Sequence, residues 1–152
     1  MILEYYRVHE SANDPVRSNP SDAGLDVFFS PDEDSEQEIT IEPCCTALLG
    51  TGLKFGVPHG YMLEVKNRSS WAAKRQLLVG ACVIDSGYDG EVIVNLHNIG
   101  ARPRVVQAGD KIAQIVMIPV VHFRPQEAED DNLYEEDITI SDREDGGFGS
   151  TG

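Results

Sequence analysis

Apolar residues fall in short alternating or β-branched runs along most of the chain. These runs are Ile2–Val8, Leu25–Phe29, Ile39–Ile41, Ala47–Val57, Tyr61–Val65, Leu78–Ile84, Glu91–Leu96 and Lys111–Phe123. Period-two spacing sets one face of each run toward a core and the other toward water, which predicts strands. Turn-forming residues separate them at Asn19-Pro20, Pro31-Asp32, Pro58-His59-Gly60, Asp89-Gly90 and Ala108-Gly109-Asp110. One short helix is expected, opening at Ser69-Ser70, residues suited to an N-cap, and running through Trp71-Ala72-Ala73-Lys74. There is no internal repeat and no βαβ rhythm. The pattern therefore predicts an all-β fold, a jelly-roll-like antiparallel β-sandwich or barrel with one short helix and a flexible Gly-rich C-terminal arm. The expected organisation is one domain: a core over 1–126, an acidic tether over 127–142, and the arm over 143–152.

Composition narrows the partners. The chain has 152 residues with 12 Lys+Arg against 26 Asp+Glu, a formal charge of −14. That charge repels phosphate backbones and anionic lipid, so nucleic acid and membrane surfaces are excluded as expected partners. No apolar run approaches the roughly 20 residues that span a bilayer. The N-terminal residues Met1–Arg7 carry no basic region followed by an apolar one, so no secretory signal is expected. Three cysteines, two of them adjacent at Cys44 and Cys45, suit neither a disulfide framework nor a zinc site. A reducing, cytoplasmic setting is the expectation, with Cys44 and Cys45 serving packing. His9, His59, His97 and His122 form no ligand pair and read as surface or strand residues. The acidic runs Asp32–Glu36, Glu127–Asp131 and Glu135–Asp137 read as solvated loop and tether.

Four stretches carry candidate chemistry. Asp85 ends an apolar run just before Asp89-Gly90, a strong hairpin signal compatible with a type I′ turn. A carboxylate partly desolvated at such an edge can act as general base toward water; a turn-capping Asp reads equally well. Asn67-Arg68-Ser69-Ser70 offers a guanidinium, two hydroxyls and helix N–H groups to an anion, or simply an N-cap with a surface Arg. Gly109–Gln114 turns the chain into a strand from which Gln114 can project as a neutral donor. The tail carries Arg143, Phe148 among glycines, and the hydroxyls of Ser150 and Thr151, groups that can wrap a phosphate and stack on a base. Together these suit attack of water on a nucleoside polyphosphate whose charge is neutralised by Mg²⁺.

Five motifs then stand in order: Asp22-Ala23-Gly24-Leu25-Asp26; Arg68-Ser69-Ser70; Gly80–Asp85 through Tyr88-Asp89-Gly90; Gly109–Gln114; and Gly146–Gly152. In this the chain resembles the trimeric dUTPase (deoxyuridine triphosphate nucleotidohydrolase) family. The resemblance implies a homotrimer with active sites shared between subunits, and hydrolysis of dUTP to dUMP and pyrophosphate. In the cell that reaction limits uracil incorporation into DNA and supplies dUMP for thymidylate synthesis. It implies Asp85 as the water-activating carboxylate and Tyr88 as the residue packed against the deoxyribose. Main-chain groups around Val83, Ile84 and Ile93 would read uracil. Arg68, Ser69, Ser70 and Gln114 would bind phosphates. Arg143 would meet the γ-phosphate, and Phe148, with Gly149 and Ser150, would close over the substrate. Asp26 takes a supporting place. The Mg²⁺ cofactor would be held by triphosphate and waters, with no protein ligands.

Three departures from the family pattern stand out: Glu144 follows Arg143 where Gly is usual, Asn67 precedes the Arg-Ser pair, and the acidic tether is long. Two other readings compete. A dCTP deaminase needs a Glu where this chain has Asn95, which cannot carry the proton. A nucleotide-sensing regulator would use the acidic loop or tether as a surface for a protein partner of unknown identity.

Overall fold

The computed structural model describes residues 1–129 and 133. It divides into two units, Met1–Val121 and His122–Gly152. In the first unit lie eleven strands, β1 (Glu4–Arg7), β2 (Leu25–Phe28), β3 (Glu38–Ile41), β4 (Thr46–Gly50), β5 (Leu53–Gly56), β6 (Tyr61–Lys66), β7 (Leu77–Val79), β8 (Val83–Asp85), β9 (Ile93–Asn98), β10 (Arg104–Gln107) and β11 (Lys111–Pro119). Every pairing among them is antiparallel. The sheets are β2-β11-β6-β8, β4-β9-β7, β1-β5 and β10-β3. In the second unit, the described residues 122–129 have no regular secondary structure. Among the described residues no helix is long and apolar enough to cross a membrane.

The all-β expectation holds because the alternation is real. Along β9, Val94, Leu96 and Asn98 point inward while Ile93 and His97 face out. The inward set meets Leu49, Leu63, Val27, Val106 and Ile115 in one core. Two predicted strands divide where the chain changes sheets. Ala47–Val57 breaks at Thr51-Gly52: Gly52 takes φ +67°, and the buried Thr51 hydroxyl donates to the Val92 carbonyl at 2.7 Å. Leu78–Ile84 breaks at Gly80–Cys82, so that β7 pairs with β9 and β8 pairs with β6. The strand predicted to reach Phe123 ends at Pro119. Strand β10 escaped the pattern because only Val106 of its four residues is buried.

The helix is a single π-turn, Trp71–Arg75, and Ser70 is already helical with no side-chain capping bond. The expected N-cap role therefore fails. The turn is closed by the Gln76 N–H on the Trp71 carbonyl, and Arg75 lies 4.3 Å over the buried Trp71 ring. The Asp-Gly hairpin also fails as predicted, since β8 and β9 belong to different sheets. The tight turn lies earlier: Tyr88 N–H bonds the Asp85 carbonyl, and Gly87 supplies φ +90°. Cys44 and Cys45 are exposed rather than packed, and Cys44 takes φ +61° after Pro43.

Asn98 ties the sandwich together at the end of β9. Its amide donates to the Ile41 and Arg102 carbonyls, each at 2.8 Å, and its Oδ1 accepts the Gly100 N–H at 2.9 Å. Asn98→Ala strands three backbone groups at a buried position. We expect a loss of about 3 kcal/mol, read as a fall of roughly 10 °C in Tm by calorimetry.

Candidate active site

Strand β11 pairs with β2 through Lys111↔Phe28, then Ala113↔Val27 and Gln114↔Asp26, with a bulge between Lys111 and Ala113. Lys111 and Gln114 are an odd number of residues apart and would face opposite ways in a regular strand. The extra residue, Ile112, is buried beside Ala113 and restores both flanking side chains to the outer face. Asp26 occupies the same face, because its neighbour Val27 is buried.

The result is a closed circuit. Asp26 Oδ1 accepts Arg68 Nε at 3.0 Å, and Asp26 Oδ2 accepts Lys111 Nζ at 2.9 Å. Arg68 Nη1 returns to the Lys111 backbone carbonyl at 3.2 Å. Ser18 Oγ adds a bond to Asp26 Oδ2 at 3.3 Å. The Asp26 side chain is only 13% exposed. Burial pushes its pKa up, but the Lys111 hydrogen bond and the Arg68 and Lys111 charges outweigh burial and hold it below the ordinary Asp value.

The loop before Arg68 is braced in turn. Gln114 Nε2 donates to the Asn67 carbonyl at 2.9 Å, and Asn67 Oδ1 accepts the Val79 N–H at 2.7 Å. A Cβ on Gly24 would lie 2.3 Å from Gln114 Oε1, so a larger residue there would displace that amide from its place beside the loop. Gln114 thus holds the loop in place, where the sequence suggested a donor projecting from one face. Ser69 and Ser70 are exposed beyond Arg68. Asn67, a departure from the family pattern, anchors the loop to β7. The site role of Lys111 was not recognised in the sequence; the signal was its place between Gly109-Asp110 and Gln114, three residues from a second candidate ligand.

The other half of the predicted site lies elsewhere. Asp85 pairs with Met62 at the start of β6, whereas Lys66, at its end, pairs with Gln114. Four residues of strand rise separate the two ends by about 13 Å, and β8 and β11 flank β6 on opposite sides. Asp85 is exposed, not partly desolvated as expected. Its loop is pinned by Lys54–Asp89 at 2.8 Å, by Glu91 Oε1 on the Gly52 N–H at 2.7 Å, and by Val92 N–H on the Leu53 carbonyl. Tyr88 donates to the Glu91 carbonyl at 3.0 Å, and its ring lies so close over Gly90 that a Cβ there would meet its hydroxyl at 2.3 Å. Val83 and Ile93 are exposed on different sheets, and Ile84 is buried. Asn95 bonds the Thr46 hydroxyl at 2.6 Å and His97 at 2.8 Å. Arg143, Phe148, Gly149 and Ser150 lie outside the described residues.

This geometry defines a class: a jelly-roll β-sandwich with a cationic cluster at one end of a central strand and a carboxylate with a tyrosine at the other. The dUTPase family model matches residues 10–152, and the chain belongs to that family. The deoxyuridine 5'-triphosphate nucleotidohydrolase of Syntrophotalea carbinolica is 35% identical over 154 residues, covering 100% of this chain and 97% of its own. The fold matches the dUTPase of Staphylococcus bacteriophage 80alpha with dUpNHpp at TM-score 0.79 and 23% identity, covering 99% and 98% of the two chains. It also matches the dUTPase of phage phi11 of S. aureus, in which a structural Mg(II) ion is coordinated, at TM-score 0.75 and 23% identity, over 87% and 99%.

A depressed Asp26 pKa means that the folded state binds this proton less readily than the unfolded chain. Its stabilisation is present above about pH 4 and is lost as pH falls through the folded value. Asp26→Asn should therefore lower stability at pH 7, with the gap from wild type closing below about pH 4. Urea midpoints across that range check this; a gap that stays constant from pH 7 to 3 contradicts it.

Proposed function

We propose that the protein hydrolyses dUTP to dUMP and pyrophosphate, at a site completed by more than one copy of the chain. Family membership supports the reaction, as do the nucleotidohydrolase relatives, named for their action on deoxyuridine triphosphate. The observation that carries the shared site is the separation along β6. A general base must reach its water within hydrogen-bond distance. The Arg68 cluster and the Asp85 of one chain are too far apart to serve one phosphate. A second copy supplying Asp85 and Tyr88 to the first copy's Arg68 resolves that separation, and a closed ring of three is the assembly we infer.

In this reading Asp85 takes a proton from water as its oxygen attacks the α-phosphorus. The bond from that phosphorus to the bridging α–β oxygen breaks, and pyrophosphate leaves. Arg68, with the Ser69 and Ser70 hydroxyls, addresses the phosphate oxygens, and Tyr88 limits the space at the sugar 2′ position. Residues 143–152 close over the bound nucleotide. Both Asp26 oxygens are committed to Arg68 and Lys111, so this donor set fits a cation that arrives on the triphosphate with its waters. Bound that way, Mg²⁺ supplies charge neutralisation for the phosphates. The side chain of Asn95, an amide bonded to Thr46 and His97, favours hydrolysis over deamination.

The test is product analysis with Mg²⁺ and dUTP, dCTP, dTTP or UTP. We expect dUMP and pyrophosphate from dUTP alone; a uracil nucleotide from dCTP would return the deaminase reading. Asp85→Asn should bind dUTP yet lose turnover by roughly 10³-fold or more. Arg68→Ala should be similarly inactive, and co-expression of the two variants should restore a fraction of wild-type turnover. No restoration would place both groups in one chain's site and refute the shared arrangement.

A further inference from the structure

Lys111 is the second cation on Asp26, and its contribution differs from that of Arg68. We propose that Lys111 is a positioning residue for the reaction: its ammonium occupies one oxygen of Asp26 so that the other can orient Arg68 without neutralising it. The inference rests on the reading of this cluster as a triphosphate pocket.

Three observations carry it. First, the bonds are divided. Each Asp26 oxygen serves one cation, at 3.0 Å for Arg68 and 2.9 Å for Lys111. Arg68 contacts Asp26 edge-on through Nε, not in a two-pronged pair, and its Nη2 has no partner among the described residues. That nitrogen remains available to a phosphate. Second, the charges do not cancel. One carboxylate with one guanidinium sums to zero; the Lys111 ammonium makes the cluster +1 on a chain of −14. Third, the ammonium is fixed by two neighbours, the Asp26 carboxylate and the Phe28 ring. It lies 5.8 Å over the Phe28 ring, the residue paired with it across the sheet, and its side chain is 32% exposed. Its backbone carbonyl, fixed by the bulge, orients Arg68 whatever the side chain, so substituting the side chain isolates the effect of the ammonium.

Lys111→Met should raise KM for dUTP about tenfold, and weaken inhibition by inorganic pyrophosphate by a like factor, with kcat nearly unchanged. Lys111→Arg should restore both. In an Asp26→Asn background Lys111→Met should add little, because its route of action is gone. A wild-type KM in Lys111→Met, a loss confined to kcat, Lys111→Arg as impaired as Lys111→Met, or full additivity with Asp26→Asn would each overturn the proposal. Circular dichroism checks folding, and Lys111→Gln carries the same test where the Met variant does not fold. If the wild-type protein fails to hydrolyse dUTP, the functional reading fails on its own. Calorimetric binding of pyrophosphate to wild type and Lys111→Met then decides the inference, with equal affinities overturning it.

Discussion

Between Lys111 and Ala113, strand β11 carries one residue more than the β2 strand it pairs with, and the faces of its side chains depend on that insertion. Ile112 and Ala113 both turn inward, where Ile112 is 1% and Ala113 0% exposed. Lys111 and Gln114 both turn outward, Lys111 to Asp26 and Gln114 to the Asn67 carbonyl. In a regular strand one of the pair would face the core, and burying a lysine there would cost several kcal/mol. The bulge is thus the constraint from which the cluster follows. It sets the ammonium on one oxygen of Asp26, presents a main-chain carbonyl to Arg68, and aims Gln114 at the loop that carries Arg68.

That loop shows how packing and chemistry are joined. Arg68 leaves β6 two residues past its end, then the chain turns at once into the π-turn anchored by the buried Trp71. Arg75 at the far end of the turn lies over Trp71 and reaches Asp110, whose Oδ2 also accepts the Gln107 N–H at 3.0 Å. Asp110 directly precedes Lys111. The two segments that build the cluster are therefore held at both ends, by Arg75–Asp110 on one side and by Gln114–Asn67 on the other. Exposed ion pairs contribute little alone; their value here is geometric, because a guanidinium must be held within fractions of an ångström to recognise phosphate oxygens.

The alternation of apolar residues made much of the sheet content legible, since strands such as β9 bury one face with a period of two. The same alternation could not show where a strand leaves one sheet for another. Ala47–Val57 and Leu78–Ile84 read as continuous because both of their halves are apolar inward, whichever sheet they join. Strand β10 was missed for the opposite reason, as its alternation is carried by a single buried valine. Site residues were legible through their order along the chain, not through local pattern. Asp26, Arg68 and Gln114 do converge. The role of Lys111 was hidden because it depends on the bulge, and a bulge leaves no mark in a run of apolar residues. The Asp89-Gly90 signal misled because a turn dipeptide reports a change of direction, not which strands pair afterwards.

The acidity of the chain bears on how such a site must work. With a formal charge of −14, long-range attraction cannot gather a polyanion; the protein's field opposes it beyond about a Debye length, some 8–10 Å in physiological salt. Recognition must then come from contacts shorter than that length, and these are most effective where the cations are already oriented. A half-buried carboxylate that holds two cations meets this requirement. It spends one unit of negative charge to fix two positive groups, and the surplus faces outward. The same reasoning explains why the carboxylate proposed as base lies at the other end of β6. Placed beside Arg68 in the same chain, Asp85 would compete with the phosphate for the guanidinium before any nucleotide arrived. In the assembly proposed above, Asp85 stays about 13 Å away along the strand and would come from a neighbouring copy, leaving Arg68 held on its own chain by Asp26.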